Sequence, residues 1–188
     1  YLYETWHSLD SGTGVDVAYD DNDHIPWRDR IDQDLAVWEG IVDHVNANRV
    51  PGQPEMLLVP AGQAIARLHD EIEAGLVPGL SDISDIFIDD IHLTDVGNYF
   101  VAMVQYATIY GGDPADLPTQ FYNEWGAAFD APDPALADTL QEVAWATVRE
   151  YPRSGIDDGA LPDMPGEDQV NLDPDALADE GVTEAGTA

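Results

Sequence analysis

The sequence predicts an α/β fold built on an incomplete doubly wound parallel sheet of about three strands. Three observations carry that expectation. Short apolar runs alternate with stretches of helical periodicity, in the order β-α-β-α-β-α-α. The run Met56 to Pro60 is wholly apolar, as strands covered on both faces are. Open sheets of this kind usually carry about five strands, so the chain reads as the second half of such a fold, flavodoxin-like in plan.

Each element rests on local pattern. "YLYETW", residues 1–6, alternates and is aromatic, which suits a buried strand. The next twenty or so residues are rich in Gly, Asp and Asn and read as a long, functional kind of loop. From Asp29 to about Asn48, Ile31, Leu35, Trp38, Ile41, Val42 and Val45 recur at helical spacing, and "VPGQPE" breaks the pattern. After the Met56 to Pro60 strand, "AGQAIARLHDEIEAG" gives a second helix with Ile65, Leu68, Ile72 and Leu76 inward. "IFI", residues 86–88, is the third expected strand. Thr94 can N-cap a third helix whose positive end suits Asp95, and Gly111 and Gly112 end it. Its buried side holds Tyr99, Phe100, Met103, Val104 and Ala107. "TQFYNEWGAAF" has no clear period, and "PALADTLQEVAWATVREY" is a fourth helix with Leu136, Leu140, Val143 and Val148 inward. Residues 1–151 thus form one domain, and 152–188 an acidic tail expected to be disordered.

Composition narrows the function classes. There are 38 acidic residues against 6 basic ones, all Arg, for a net charge of −32. That balance argues against nucleic acid and against anionic membrane surfaces, since both need Lys and Arg as counter-charges. An acidic surface without Lys fits a protein working in high salt, where screening removes self-repulsion. No run approaches the roughly 18 apolar residues of a membrane span. Cysteine is absent, which excludes disulfides and thiolate chemistry. The first residue is Tyr, so the chain reads as a processed product or a piece of a longer one.

Ligands in open α/β sheets sit beyond the carboxyl ends of the strands, here "ETWHS", "PAGQ" and "DDIH". The last has acid–base chemistry: His92 can take a proton near neutral pH, and Asp89 can hold its tautomer and stabilise the imidazolium. The bland alternative is a polar turn that merely precedes a helix. Trp6, His7 and Trp27 flank the first strand's exit and are candidate substrate contacts, whereas Trp38 lies on a core-facing helix side. His24, His44 and His69 have no partners at metal spacing. "DVAYDDNDH" lacks the pattern and the twelfth-position Glu of a calcium loop. No metal or organic cofactor is implied.

"DDIHLTDVGNYF" resembles the last sequence block of the SGNH (GDSL-like) serine hydrolases, an Asp-x-x-His followed by a helix with Gly near its start. Asp89 and His92 match its Asp and His; Asp90 does not. "LYETWHS" is similar to a strand and loop in a bacterial branch of that family, and "LQEVAWATVREY" to its closing helix. The resemblance implies that residues 1–151 are the C-terminal part of an esterase domain. Its substrate would be a small-molecule or carbohydrate ester, and a periplasmic or secreted site would suit it. The family's Gly-Asp-Ser block and oxyanion-hole Gly and Asn have no counterpart here. Ser11 in "LDSGTG" is a superficial match, in the wrong place in the strand order. The implied chain carries the acid–base pair and lacks its nucleophile. The alternative is a non-catalytic binding or structural domain with a salt-adapted surface.

Overall fold

The computed structural model describes residues 1–16 and 20–156. It is a mixed α/β structure in which four long helices surround a small parallel sheet. Strand β1 (Leu2–Glu4) pairs with β2 (Leu58–Pro60) in the register Leu2 to Leu58 and Glu4 to Pro60. The crossover between them is helix α1 (Trp27–Ala47). Helix α2 (Ala61–Glu73) continues from β2 without a loop. Helices α3 (Asp95–Tyr110) and α4 (Pro134–Glu150) pack against each other and against α2. Pro134 opens α4 where its missing N–H is no loss. Of the expected tail, 152–188, residues 157–188 lie outside the described residues, and with them the expectation of disorder. Residues 152–156 are described and belong to the packed domain, with Ser154 buried and Ile156 against the core.

Alternation along β2 distributes two cores. Leu58 joins Val42 and Tyr151 on the α1 side, with Leu2, Leu35, Trp38 and Met56 packed around them. Val59 faces the larger cluster, in which Ile65, Leu68, Phe100, Val104, Leu140 and Val148 are all buried. The outer edge of β2 is closed by the chain leaving α4, because the Leu58 N–H donates to the Arg153 carbonyl at 2.9 Å. At the junction of β1 and α2 the backbones come very close. A Cβ on Gly62 would sit 2.4 Å from the Thr5 carbonyl oxygen, so only glycine fits there.

Three expectations need correction. "IFI" does not add a third strand to the sheet among the described residues. Ile83–Ile86 is a short 3-10 helix closed by a reciprocal cap between Asp82 and Asp85. Phe87 then makes an isolated antiparallel bridge to Leu93, so the extended segment pairs with its own continuation. Ile86 and Phe87 are buried, but Ile88 is 73% exposed, and a central strand would have hidden it. Leu76 and Ile41, both expected inside, are exposed. The reason for Ile41 is angular: it sits about 100° around α1 from its neighbour Val42, off the stripe on which Ile31 and Val42 are buried and Leu35 and Trp38 are packed.

Candidate active site

The turn bearing Asp89 and His92 is built by Asp89 itself. Its Oδ1 accepts the backbone N–H groups of Ile91 at 2.9 Å and His92 at 2.7 Å, an Asx-type turn. The same carboxylate meets the imidazole: Nδ1 of His92 lies 2.8 Å from Oδ2 and 3.1 Å from Oδ1. The base of the loop is held by Ile88 N–H donating to the His92 carbonyl at 2.7 Å and Thr94 N–H donating to that of Ile86 at 2.9 Å. One short-range motif thus sets the backbone and the side-chain pair together.

That geometry dictates the electrostatics. The two backbone N–H groups, His92's first, and then the His92 side chain hold the Asp89 carboxyl down at about 2. Asp89 is therefore ionised throughout the neutral range. With Nδ1 engaged, Nε2 is the ring nitrogen that meets no hydrogen-bond partner among the described residues. The pair is open to solvent, with the His92 side chain 75% exposed.

Helix α3 fixes the chain on the far side of His92. The Thr94 hydroxyl accepts the Gly97 N–H at 3.2 Å, the N-cap expected from sequence. Gly97 has a packing reason. A Cβ there would lie 2.5 Å from the Ile86 carbonyl oxygen, so the glycine lets the start of α3 rest directly on the strap that carries the pair.

The exit of β1 comes to the same place. Trp6 Nε1–H donates to the Ile91 carbonyl at 2.9 Å, and its ring packs edge-on against Phe87. Leu9 N–H donates to the Asp90 carbonyl at 2.7 Å, and the Ser8 hydroxyl to Asp90 Oδ2 at 2.9 Å. A cleft of about 230 Å³ results, walled by Trp6, His7, Ser8, Asp90 and Ile91. Asp89 and His92 belong to the turn at its edge rather than to its lining.

The other candidates separate. His7 lines the cleft, with Nε2 2.6 Å from Asp34 Oδ2 on α1, so its ring is already partnered. Trp27 is not a substrate contact in this arrangement. It is buried, its indole N–H donates to the His7 carbonyl at 2.8 Å, and its ring lies against His69. It supports the cleft wall from behind. Ser11 also lines the cleft, but it is buried and its hydroxyl donates to the Ile25 carbonyl at 2.7 Å. Asp90 stands at the wrong spacing from His92 to be its partner, yet it ties the two loops together. Its one signal in the sequence is position, beside Asp89 in the turn "DDIH".

No protein-family model matches this chain, and no curated protein or solved structure matches it either.

Proposed function

We propose that the chain is the acid–base portion of a serine esterase of the SGNH type, acting on small-molecule or carbohydrate esters. The single observation behind this reading is the His92 ring, held through Nδ1 by an ionised Asp89, on the turn whose Asp90 and Ile91 line the cleft at the β1 exit. A doubly wound, flavodoxin-like sheet completed by further strands is part of the same proposal, as is a saline working environment.

In the proposed reaction, a serine from a segment outside these 188 residues attacks the ester carbonyl carbon and its proton passes to Nε2. Asp89 accepts the Nδ1–H bond and stabilises the imidazolium. The same proton then goes to the departing alcohol oxygen as the C–O bond breaks. Water, deprotonated by the same nitrogen, releases the acid and restores the serine. Ser11 has no part in this, because its hydroxyl is buried and committed to Ile25.

The test uses p-nitrophenyl acetate. The 188-residue chain should hydrolyse it at the background rate. The product of the reading frame extended upstream of Tyr1 should hydrolyse it catalytically, with His92→Ala lowering kcat/KM by about a thousandfold. Unchanged turnover in that variant removes His92 from the mechanism. A product burst stoichiometric with the chain as it stands overturns the division of labour and favours a site complete within it.

A further inference from the structure

A second concavity lies on the other flank of α3. The stretch without a clear period, residues 119–129, folds into a short hairpin with a Tyr122 to Ala128 bridge. Asn123 Oδ1 accepts the N–H groups of Trp125 and Ala127 and shapes its tip. The two arms are tied by Phe129 N–H donating to the Phe121 carbonyl at 3.0 Å, and by Gln120 Nε2 donating to both the Phe121 and Phe129 carbonyls. The hairpin is pinned to α3 by the Asp130 N–H, which donates to Asp95 Oδ2 at 2.7 Å. Between them runs a groove of about 200 Å³.

Its chemistry is specific. Asp95, Tyr99 and Ala102 share one face of α3, spaced four and seven residues from the first, and the hairpin supplies Phe121, Phe129 and Asp130 opposite them. Tyr99 and Phe121 are in contact, with ring centroids 5.8 Å apart. Phe121 and Phe129 remain 38% and 42% exposed, so the groove holds its aromatic walls apart without filling itself. A cavity of about 150 Å³ is enough for benzene, so one six-membered ring fits here. Among the described residues, both charged ones at the groove are carboxylates and no arginine lines it. That pattern disfavours an anion, and ring faces beside carboxylates attract a cation.

We propose that this groove binds a small cation with an apolar body, of the arylalkylammonium class. The ring lies against Ala102 between Phe121 and Phe129, and the ammonium group sits at the mouth, facing the carboxylates of Asp95 and Asp130. The site is independent of Asp89 and His92 and of the esterase reading.

Benzylammonium is the probe, with benzyl alcohol and benzoate as neutral and anionic counterparts of the same size. Titration of the full chain, followed by the Ala102 methyl resonance, should give a saturable shift with benzylammonium. Binding of benzyl alcohol should be about threefold to tenfold weaker, as one partly exposed charge contact dictates, and benzoate weaker still. Ala102→Leu, which fills the groove, should abolish binding as read by ligand saturation transfer, and Asp130→Asn should bring benzylammonium part of the way to the benzyl alcohol level, Asp95 keeping the rest of the preference. Phe129→Ala, which removes the opposite wall, should weaken all binding and stands in if Ala102→Leu does not fold. No saturable shift with any probe overturns the site. Equal affinity for benzylammonium and benzyl alcohol overturns its cationic class. His92→Ala should leave every one of these values unchanged.

Discussion

Glu4 and Asp89 are both acidic residues at the end of an extended segment, and their surroundings drive them in opposite directions. Glu4 ends β1 and is wholly buried against the start of α2. Burial pushes its carboxyl up to about 7, although Gln63 donates to it through both its side chain and its backbone. The carboxylates of Glu39 and Asp32 push the same way as burial. Asp89 lies on an exposed turn, where N–H groups and an imidazole surround it and hold it near 2. The difference teaches that donors alone do not set ionisation. Two hydrogen bonds fail to offset desolvation inside the fold, while three succeed where water still reaches.

The largest way to break this contrast is to open the junction that buries Glu4. Gly62→Ala places a Cβ against the Thr5 carbonyl and the Glu4 carboxyl, and should destabilise by about 3 kcal/mol in a denaturant titration. It should also lower the Glu4 titration toward the ordinary carboxylate range.

Next in size is Glu4→Gln. Because the folded-state value lies above the unfolded one, the folded form holds the extra proton. The stability it confers is full below about 4.5 and is lost as pH rises through about 7. The wild-type chain should therefore lose up to about 3 kcal/mol across that window. The amide variant should match it near the acid end and exceed it above neutrality, with a flatter profile. A wild-type profile with no fall toward pH 7 would contradict the buried carboxyl.

Asp89 should give the smallest stability effect. Its lowered value means that the contribution is present above the ordinary carboxylate range and fades as pH falls toward about 2. Asp89→Asn keeps an oxygen for the Ile91 and His92 N–H groups, so Tm near neutrality should move less than in Glu4→Gln. Asp89→Ala removes that acceptor and should speed hydrogen exchange at both amides. Protection unchanged in the alanine variant would show that the turn stands without the carboxylate.

Local signals are legible wherever a short-range rule governs. Thr94 caps α3, Tyr99, Phe100, Met103, Val104 and Ala107 are inside, and Leu136, Leu140, Val143 and Val148 face the core from α4. The contact between Asp89 and His92 falls in this class too, because three residues and one Asx turn suffice to make it. Long-range placement is not legible. Trp27 reads as a loop-side aromatic in the sequence, but α1 begins on it and turns it into the core. "IFI" has strand composition, yet no neighbouring strand is there to receive it among the described residues. Leu76 falls just beyond the end of α2, past Gly75, where helical phase no longer applies.

By itself, then, the amino-acid order settled the helices, the α3 cap, the acidic charge and the pairing of Asp89 with His92, because each depends on neighbours within a few positions. Only the folded chain decided that β1 stops at a buried glutamate, that Trp6 and Asp90 join two loops across more than eighty residues, and that the 119–129 hairpin leaves an open groove on α3. Those features depend on which surfaces meet, and periodicity along one segment carries no information about the face presented by another.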